Sequence, residues 1–328
     1  MKRFCAAISV AAAVCVSAGA ALSDVTIRLG HVTQTSHPFH IGAEMFRDAV
    51  AAESNGTIEI SIYPARQLGD DRQLLEGVRL GTVDAAIISS STFSLFTPVM
   101  DALQLPWLIG SYDELAEAFV SAPARDMLVS LDGLGMTGLG YYEGGFRHFL
   151  NNRVTVNTVA DMKGLRVRVV PNPLHIAIFE AIGAAPTPMA YGEVYTALET
   201  GVLDGAEINV SSVYGERFYE AAREFSLTGH FFFPGVLVVN KSLYDRLSPD
   251  EQTALAEAAR KTIATQVAAA KQQEMDALEE LKAASVKVVE FNDVEAARAL
   301  VQPLVEDYEA RDPLVKAFAD HVRAAAAN

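Results

Sequence analysis

Cysteine is nearly absent from this sequence: it has two cysteines, Cys5 and Cys15, and both lie near the N-terminus. If that segment is removed, the mature chain forms no disulfides and depends on its hydrophobic core for stability. The remaining length of about 300 residues is sufficient for two domains or for one large domain.

Basic residues are also scarce, because 26 Lys and Arg stand against 41 Asp and Glu and give a formal net charge of −15. This balance argues against nucleic acid and against anionic membrane surfaces as partners. The overall field of such a protein does not attract an anionic ligand. If the ligand is an anion, a few buried cations must therefore bind it locally.

Long apolar runs are missing beyond the N-terminus, so no later segment of the sequence is expected to span a membrane. The N-terminus has two basic residues, an apolar run from Phe4 to about Val16, and then small residues. This order is typical of a secretory signal, with cleavage after Ala20 or after Ser23. We therefore expect residues 1–23 to be a signal peptide and the mature chain to be exported.

Known catalytic motifs are absent as well, since the sequence has no G-x-S-x-G, no P-loop, no G-x-G-x-x-G after a strand and no H-E-x-x-H. His37 and His40 lie three residues apart, but no cysteine is near enough to complete a zinc site. Asp70 and Asp71 lie at a predicted helix start, where aspartate commonly caps the helix. Asp71 is nevertheless also a candidate ligand contact. We predict a protein that is not an enzyme and needs no cofactor or metal.

Two stretches of alternating strand and helix patterns predict an α/β fold. The first has strands at 25–32, 58–63 and 85–88 and helices at 37–52 and 70–80, which implies a largely parallel sheet with helices on its faces. The second has strands at 166–170 and 204–208, helices at 173–182 and 191–200, and a later strand at 236–240.

One segment predicts an unusually long helix, because no Gly or Pro interrupts the chain from Pro249 to about Lys282. Ser248 followed by Pro249 and Glu251 is a helix-start signature. At 1.5 Å per residue this helix is about 50 Å long, which exceeds one small domain. Since no sustained heptad supports a coiled coil, we expect a helix that runs along two domains. Two amphipathic segments follow, at about 294–305 and 314–324.

The segment MKGLRVRVVPNP, residues 162–173, carries the most informative charges. Arg166 and Arg168 are two apart and would share one face of a strand. An arginine at the C-terminal end of a strand in an open α/β sheet lies where ligands bind, and its guanidinium can hold a carboxylate through two hydrogen bonds. The spacing alone equally allows both arginines to be surface charges.

The sequence resembles the solute-binding proteins of tripartite ATP-independent periplasmic (TRAP) transporters, the DctP family, over nearly the whole mature chain. The phrases that carry the resemblance are GHVTQTSHPFHIGAEMF, IEISIYPARQLGDDRQLLEGVRLGTVD, LPWLIGSY, DMKGLRVRV, GAAPTPMAYGEVYTALETGVLDGAE and FYEAAREFSLTGH. It implies a periplasmic-binding-protein-like fold, with two α/β domains joined by a hinge, a ligand in the cleft between them and a long domain-spanning helix.

We accordingly expect domain I to comprise residues 24–144 plus about 234–272, and domain II residues 145–233 plus about 273–305, followed by a C-terminal helix at 306–328. The resemblance also implies a soluble periplasmic protein, here expected to be a monomer. It would bind a small-molecule carboxylate and pass it to the small and large membrane subunits of a TRAP transporter.

The resemblance assigns the ligand site residue by residue. It implies that Arg168 pairs with the ligand carboxylate and that Arg147 is a second cation in the site. Further candidate contacts are His37 in the loop after the first strand, Ser89 and Ser90 after the third strand, Tyr191, and Glu207 with Asn209. In many relatives an Asn follows the Glu directly. Here Ile208 intervenes, so Asn209 is a candidate substitute.

Several alternatives remain open at this stage. The chain could be a periplasmic enzyme acting on an organic acid, or a binding protein that serves a sensor receptor. An ion beside Glu207 is a third possibility. Two arginines suit either a dicarboxylate or a sugar acid, and the phrases DGAE, LTGH and PMAYGEVY slightly favour a sugar acid. Sialic-acid binders of the family carry Glu at the position of Ser89, which argues against that ligand.

Overall fold

The computed structural model describes residues 25–327, so the predicted signal peptide with Cys5 and Cys15 lies outside the described residues. Within residues 25–327 the chain forms nine strands. They are β1 (Val25–Gly30), β2 (Ile58–Tyr63), β3 (Ala85–Ser89), β4 (Met136–Asn151), β5 (Arg166–Val169), β6 (Ala185–Pro188), β7 (Gly205–Asn209), β8 (Glu224–Asn240) and β9 (Lys287–Glu290).

The same residues form eleven α-helices, with short 3₁₀ turns between some of them. They are α1 (Pro38–Glu53), α2 (Asp71–Leu80), α3 (Tyr112–Phe119), α4 (Ala122–Ser130), α5 (Pro173–Ile182), α6 (Val194–Glu199), α7 (Val210–Gly215), α8 (Lys241–Tyr244), α9 (Pro249–Ala283), α10 (Val294–Arg311) and α11 (Pro313–Ala326). Among the described residues, no helix combines the length and the apolar character that a membrane crossing needs.

Local capping explains where the main helices begin. Asp70 accepts from the backbone of Gln73, whose side chain binds back to the backbone of Asp70, and this reciprocal pair starts α2. Ser248 and Glu251 form the same arrangement at the start of α9. The predicted long helix is confirmed, and it is 35 residues long.

All strands belong to one sheet in the order β2-β1-β3-β8-β4-β7-β5-β6, with β9 paired to one end of β8. Strand β1 is parallel to β2 and β3, and β5 is parallel to β6 and β7. Between these two parallel groups, β4 and β8 run antiparallel to each other and to β3 and β7. Two parallel α/β halves therefore share the long strands β4 and β8, and the predicted α/β class is confirmed.

The full lengths of β4 and β8 were not predicted, because the sequence pattern indicated a strand only at 236–240, the end of β8. Both strands contain glycines, β8 also contains Pro234, and the pairing register shifts between Glu143 and Phe146. The buried Glu143 carboxylate accepts hydrogen bonds from the backbone N–H groups of Gly145 (2.7 Å) and Phe233 (3.0 Å). The Glu143 side chain thus satisfies backbone N–H donors at a β-bulge. The periodicity of the sequence does not reveal such a bulge.

Helix α9 packs along both halves of the sheet. Its N-terminal part contributes Leu255 and Ala259 to a core with β1, β2 and α1. Its C-terminal part contributes Ala277 and Leu281 to a core with β7 and α7. Between them, the Gln266 amide bonds to Pro38 O and to both backbone groups of Glu143. One helix therefore joins both halves to the middle of β4.

The helix predicted at 191–200 agrees with helical structure over 191–199, which is a 3₁₀ turn at Tyr191–Glu193 followed directly by the short α6. Helix α10 continues to Arg311, with Pro303 inside it, so the C-terminal helix does not begin at 306. It begins at Pro313, where the side chain of Asp312 caps the first turn by accepting from Leu314 N.

Candidate functional site

A cavity of about 270 Å³ lies where the parallel strands of both halves end, and we call it the central cavity. The loops after β1, β2, β3, β5 and β6 and the start of α2 contribute to its wall, together with residues from the middle of β4 and β8. Its lining residues are Val32, Thr33, Arg66, Asp70, Asp71, Arg72, Ser89, Thr92, Leu95, Arg147, Arg168, Val170, Pro171, Ala190, Tyr191 and Phe233. Carboxyl ends of parallel strands are the usual ligand position in open α/β sheets.

Arg168 is a buried guanidinium in this wall, with 2% of the residue exposed. Its Nε donates to Met189 O at 3.0 Å, while its Nη1 has no hydrogen-bond partner and lies 3.9 Å from Glu207 Oε1. Burial lowers the pKa of Arg168 to about 10, although the charge of Glu207 opposes that shift. The arginine therefore stays protonated at neutral pH and keeps a donor for an anion. Arg166, by contrast, is exposed and pairs with Asp204 at 2.8 Å.

Arg147 is as buried as Arg168 but already has a partner. Its Nε donates to Glu207 Oε2 at 2.6 Å, and its Nη2 donates to Glu207 O at 2.8 Å. The guanidinium carbon lies 4.6 Å from the centre of the Phe233 ring. Arg147 was expected as a second cation for the ligand, but the geometry commits most of its donors to Glu207 within the protein.

Glu207 is the centre of this buried charge group and is not part of the cavity wall. Burial alone would raise the pKa of Glu207, but the positive charge of Arg147, assisted by Arg168 and the neighbouring His175 and His230, lowers it well below its usual range. The backbone N–H of Val170 also donates to its Oε1 at 3.2 Å. Glu207 therefore remains ionised and fixes Arg147 and the end of β5.

Tyr191 lines the cavity, as the resemblance implied, and its hydroxyl donates to Ser212 Oγ at 3.0 Å. The Arg66 guanidinium lies 5.6 Å from the centre of the Tyr191 ring. Arg66 Nη1 also donates to Val32 O at 3.1 Å and to Glu216 Oε1 at 3.2 Å. Because Arg66 follows β2 and Glu216 follows α7, this ion pair connects the two halves across the cavity.

Asp71 at the start of α2 and Ser89 at the end of β3 form another part of the cavity wall. The backbone N–H of Ser89 donates to Asp71 Oδ1 at 3.3 Å, and the Ser89 hydroxyl bonds to Ser91 Oγ at 2.7 Å. Burial raises the pKa of Asp71 to about 6. The predicted candidates that line the cavity are Arg168, Arg147, Tyr191, Ser89 and Asp71.

The other four candidates lie outside this lining. Ser90 donates its hydroxyl to Gln104 Oε1 at 3.1 Å, in the core. His37 caps α1 by accepting from Phe39 N, and Asn209 bonds to Gly144 O at 2.7 Å and to His37 Nε2 at 3.1 Å. Together with Glu207 these residues hold loops and strands behind the wall, and the geometry does not support them as direct ligand contacts.

Arg66 and Phe233 are among the cavity-lining residues that were not identified from the sequence. Arg66 lies just after the C-terminal end of β2, and Arg168 lies near the C-terminal end of β5. The reasoning that identified Arg168, an arginine at the end of a parallel strand, would therefore also have identified Arg66. Ala65 and Arg66 both have positive φ, 51° and 67°, and such consecutive strained residues are typical of functional loops. Phe233, in β8, lines the cavity beside Arg147.

The described residues contain no group of three or more His, Asp or Glu side chains placed to hold a metal ion. The ion considered beside Glu207 thus gains no support from residues 25–327. The carboxylate is instead neutralised by the protein's own arginines. The chemistry that the wall offers is hydrogen bonding to an anion and to polar groups near it.

Comparison with known proteins gives a consistent result. The model of the DctP family, described as bacterial extracellular solute-binding protein family 7, matches residues 29–312. The 2,3-diketo-L-gulonate-binding periplasmic protein YiaO of Escherichia coli is 32% identical over 291 residues, covering 89% of each chain.

Two solved structures are also similar at 30% identity. The sugar acid binding protein DctPAm of Advenella mimigardefordensis, in complex with galactonate, has a TM-score of 0.87 and covers 92% of this chain and 98% of its own. A TRAP periplasmic solute-binding protein of Xanthobacter autotrophicus, with bound β-D-galacturonate, has a TM-score of 0.86. The match covers 91% of this chain and 99% of that protein's own chain.

Proposed function

The chain belongs to the DctP family of bacterial extracellular solute-binding proteins, and we propose that it captures a sugar acid in the central cavity for delivery to a TRAP transporter. In this proposal the ligand carboxylate binds Arg168, and the protein acts in the periplasm as a monomer. It binds and releases its ligand without converting it. The small and large membrane subunits of the transporter are its partners.

The proposal rests on Arg168, whose guanidinium is buried and whose Nη1 has no hydrogen-bond partner in the described residues. A buried guanidinium with an unused donor is costly unless an anion completes its hydrogen bonds. Arg168 lines the central cavity, and a planar carboxylate matches the guanidinium geometry. A carboxylate bound there would be retained by a charge-assisted pair away from bulk water.

The family relationship supports a sugar acid as the ligand class. Similar proteins of known structure bind galactonate and galacturonate, and the Escherichia coli relative binds 2,3-diketo-L-gulonate. Each of these ligands has one carboxylate and several oxygen substituents. The C4-dicarboxylate-binding protein DctP of Rhodobacter capsulatus is also a relative, at 28% identity, so the ligand class needs a direct test.

We propose that capture involves closure of the two halves as domains, with the boundaries near residues 144 and 233 in the middle of β4 and β8. The register shift after Glu143 and the positive φ of Gly145, 110°, place the least regular backbone of β4 there. A ligand that contacts both halves stabilises the closed form through its differential contacts. The Arg66–Glu216 pair would form as the halves approach.

A thermal-shift screen of organic acids tests the function. We expect sugar acids to raise the melting temperature of the mature protein, because a ligand at 100 times its Kd stabilises the native state by about 2.7 kcal/mol. C4-dicarboxylates at the same concentration are expected to have a smaller effect. The absence of any shift with a broad panel of carboxylic acids would contradict the proposal.

Recovery of the ligand distinguishes binding from catalysis. After prolonged incubation with the protein, the stabilising acid should be recovered chemically unchanged by mass spectrometry. Conversion of that acid to a product would support the alternative of a periplasmic enzyme.

A further inference from the structure

We propose that Asp101 is a positioning residue for ligand capture, which joins the two halves of the molecule through Asn172 and couples their closure to the binding of a proton. Asp101 lies outside the lining of the central cavity, so its proposed role is not that of a ligand contact. The inference rests on the proposed function, because it assumes that the two halves close around the ligand.

The first observation is a hydrogen bond between the halves. Asp101 lies in the 3₁₀ segment Val99–Gln104, which follows β3 in the first half. The residue is 2% exposed, and its Oδ1 accepts from Asn172 Nδ2 at 2.7 Å. Asn172 directly precedes α5 and belongs to the second half. Its amide also donates to Ser91 O at 2.8 Å. One side chain of the second half is thus bonded to two positions of the first.

Asn172 connects this contact to the cavity wall. Its Oδ1 caps α5 by accepting from two backbone N–H groups of the first turn, at 2.7 and 3.2 Å. Its own backbone N–H donates to Val170 O at 2.7 Å. Val170 and Pro171, the two residues before it, line the central cavity. The bond between Asp101 and Asn172 therefore fixes this part of the wall relative to the first half.

The Asp101 carboxylate is in an unfavourable environment for a negative charge. Within residues 25–327, the bond from Asn172 is its one hydrogen bond, and no cation lies within ion-pair distance of it. Burial raises the pKa of Asp101 to about 7, although the bond from Asn172 and the charge of Arg311 oppose that shift. A carboxylate enclosed in this way favours its protonated form.

This enclosure depends on the second half, because Asn172 and the α10 side chains Tyr308 and Arg311 act on Asp101. When the halves separate, water reaches the carboxylate, and its pKa returns toward its ordinary value of about 3.9. The closed form therefore holds a proton that the open form releases between about pH 4 and pH 7. A lower pH in that range favours closure, and ligand affinity is lost as the pH rises through the pKa of the closed form.

The other titratable groups near Asp101 come from four helices and strands. They are Tyr308, Arg311 and Asp307 on α10, His175 on α5, His230 on β8, and exposed side chains on α11. The pKa values of Tyr308 and Arg311 are raised, and burial lowers those of both histidines. Two more distant carboxyl groups have raised pKa values, Asp71 to about 6 and Glu274 to about 7. The contribution of Asp101 is therefore measured by comparing variants.

Calorimetry at pH 5.5 and 7.5 tests the inference with the sugar acid that gives the largest thermal shift. We expect wild-type affinity to fall by about tenfold or more over this range. At pH 6, titrations in buffers of different ionisation enthalpy should show that binding takes up most of one proton. Asp101→Asn keeps an acceptor for Asn172 but has no charge to desolvate. It should remove most of the pH dependence and bind the acid about fivefold or more tightly than wild type at pH 7.5.

Asp126→Asn is the matched control, because it makes the same change at an exposed position of α4. It is expected to reproduce the wild-type affinity at both pH values. Asn172→Asp is a second variant, which keeps an oxygen to cap α5 but places a carboxylate against Asp101. It should weaken binding more at pH 7.5 than at pH 5.5, because two adjacent carboxylates resist joint ionisation.

The outcomes separate this inference from the proposed function. If wild-type protein binds the acid equally at both pH values and takes up no proton, the proposed function stands and the inference is overturned. An unchanged pH dependence in Asp101→Asn, or weaker binding by that variant at pH 7.5, also overturns it. If no carboxylic acid binds at either pH, the proposed function and the inference are both contradicted.

Discussion

Replacing Arg168 with alanine is expected to weaken binding of the carboxylate ligand by about 2–5 kcal/mol, the usual cost of removing one partner of a buried charge pair. At 1.4 kcal/mol per factor of ten, this is a loss of about thirtyfold or more in affinity. The reason is that Arg168 provides the uncommitted guanidinium of the wall, whereas Arg147 is bonded to Glu207. Isothermal titration calorimetry of wild-type and variant protein measures the difference.

Arg166→Ala is the control for this variant. It removes the same charge two residues earlier in β5, but the Arg166 side chain is 48% exposed and pairs with Asp204 outside the cavity. Its ligand affinity should equal that of wild-type protein. Arg168→Lys should also bind weakly, because a single ammonium group does not reproduce two parallel hydrogen bonds. Near-wild-type affinity in Arg168→Ala would reject the assignment.

Loss of the Glu207 charge should have the largest effect on folding. Glu207→Gln leaves the buried Arg147 without its ionic partner, and breaking such a pair typically costs about 3–5 kcal/mol. The pKa of Glu207 is lowered in the folded protein, so its contribution is present above the unfolded pKa and is lost as pH falls through the folded one. Urea unfolding at pH 7 should show the loss as a lower midpoint.

An exposed ion pair provides the comparison for Glu207. Glu257→Gln removes the partner of Arg260 on the surface of α9, where solvent screens the charge. Its unfolding midpoint is expected to equal that of wild-type protein. A midpoint for Glu207→Gln that also equals wild type would show that the buried pair does not hold the two strands β4 and β7 together.

Local signals in the sequence predicted the parts of the fold that local interactions determine. The capping residues of α2 and α9 and the unbroken Ala-rich composition of α9 are read directly from the chain. The full lengths of β4 and β8 were missed because these strands are held by long-range pairing and by the Glu143 carboxylate at a bulge. Nothing in their periodicity distinguishes glycine-rich strands from loops.

For the candidate site, too, the sequence predicted what depends on local position and not what depends on long-range pairing. An arginine at a strand end indicated Arg168, but spacing could not show that Arg166 is exposed while Arg168 is covered. The pairing of Arg147 with Glu207 joins residues 60 positions apart and arises only when β4 pairs with β7. Residues such as His37 and Asn209 carry polar groups for structural reasons that become apparent only from their partners.

A crystal structure of the mature protein with the sugar acid that gives the largest thermal shift is the most direct test of the account. We predict that the ligand lies in the central cavity with its carboxylate oxygens about 3 Å from the guanidinium nitrogens of Arg168. A complex in which the carboxylate binds elsewhere, or in which the Arg168 head group points into bulk solvent, would contradict it.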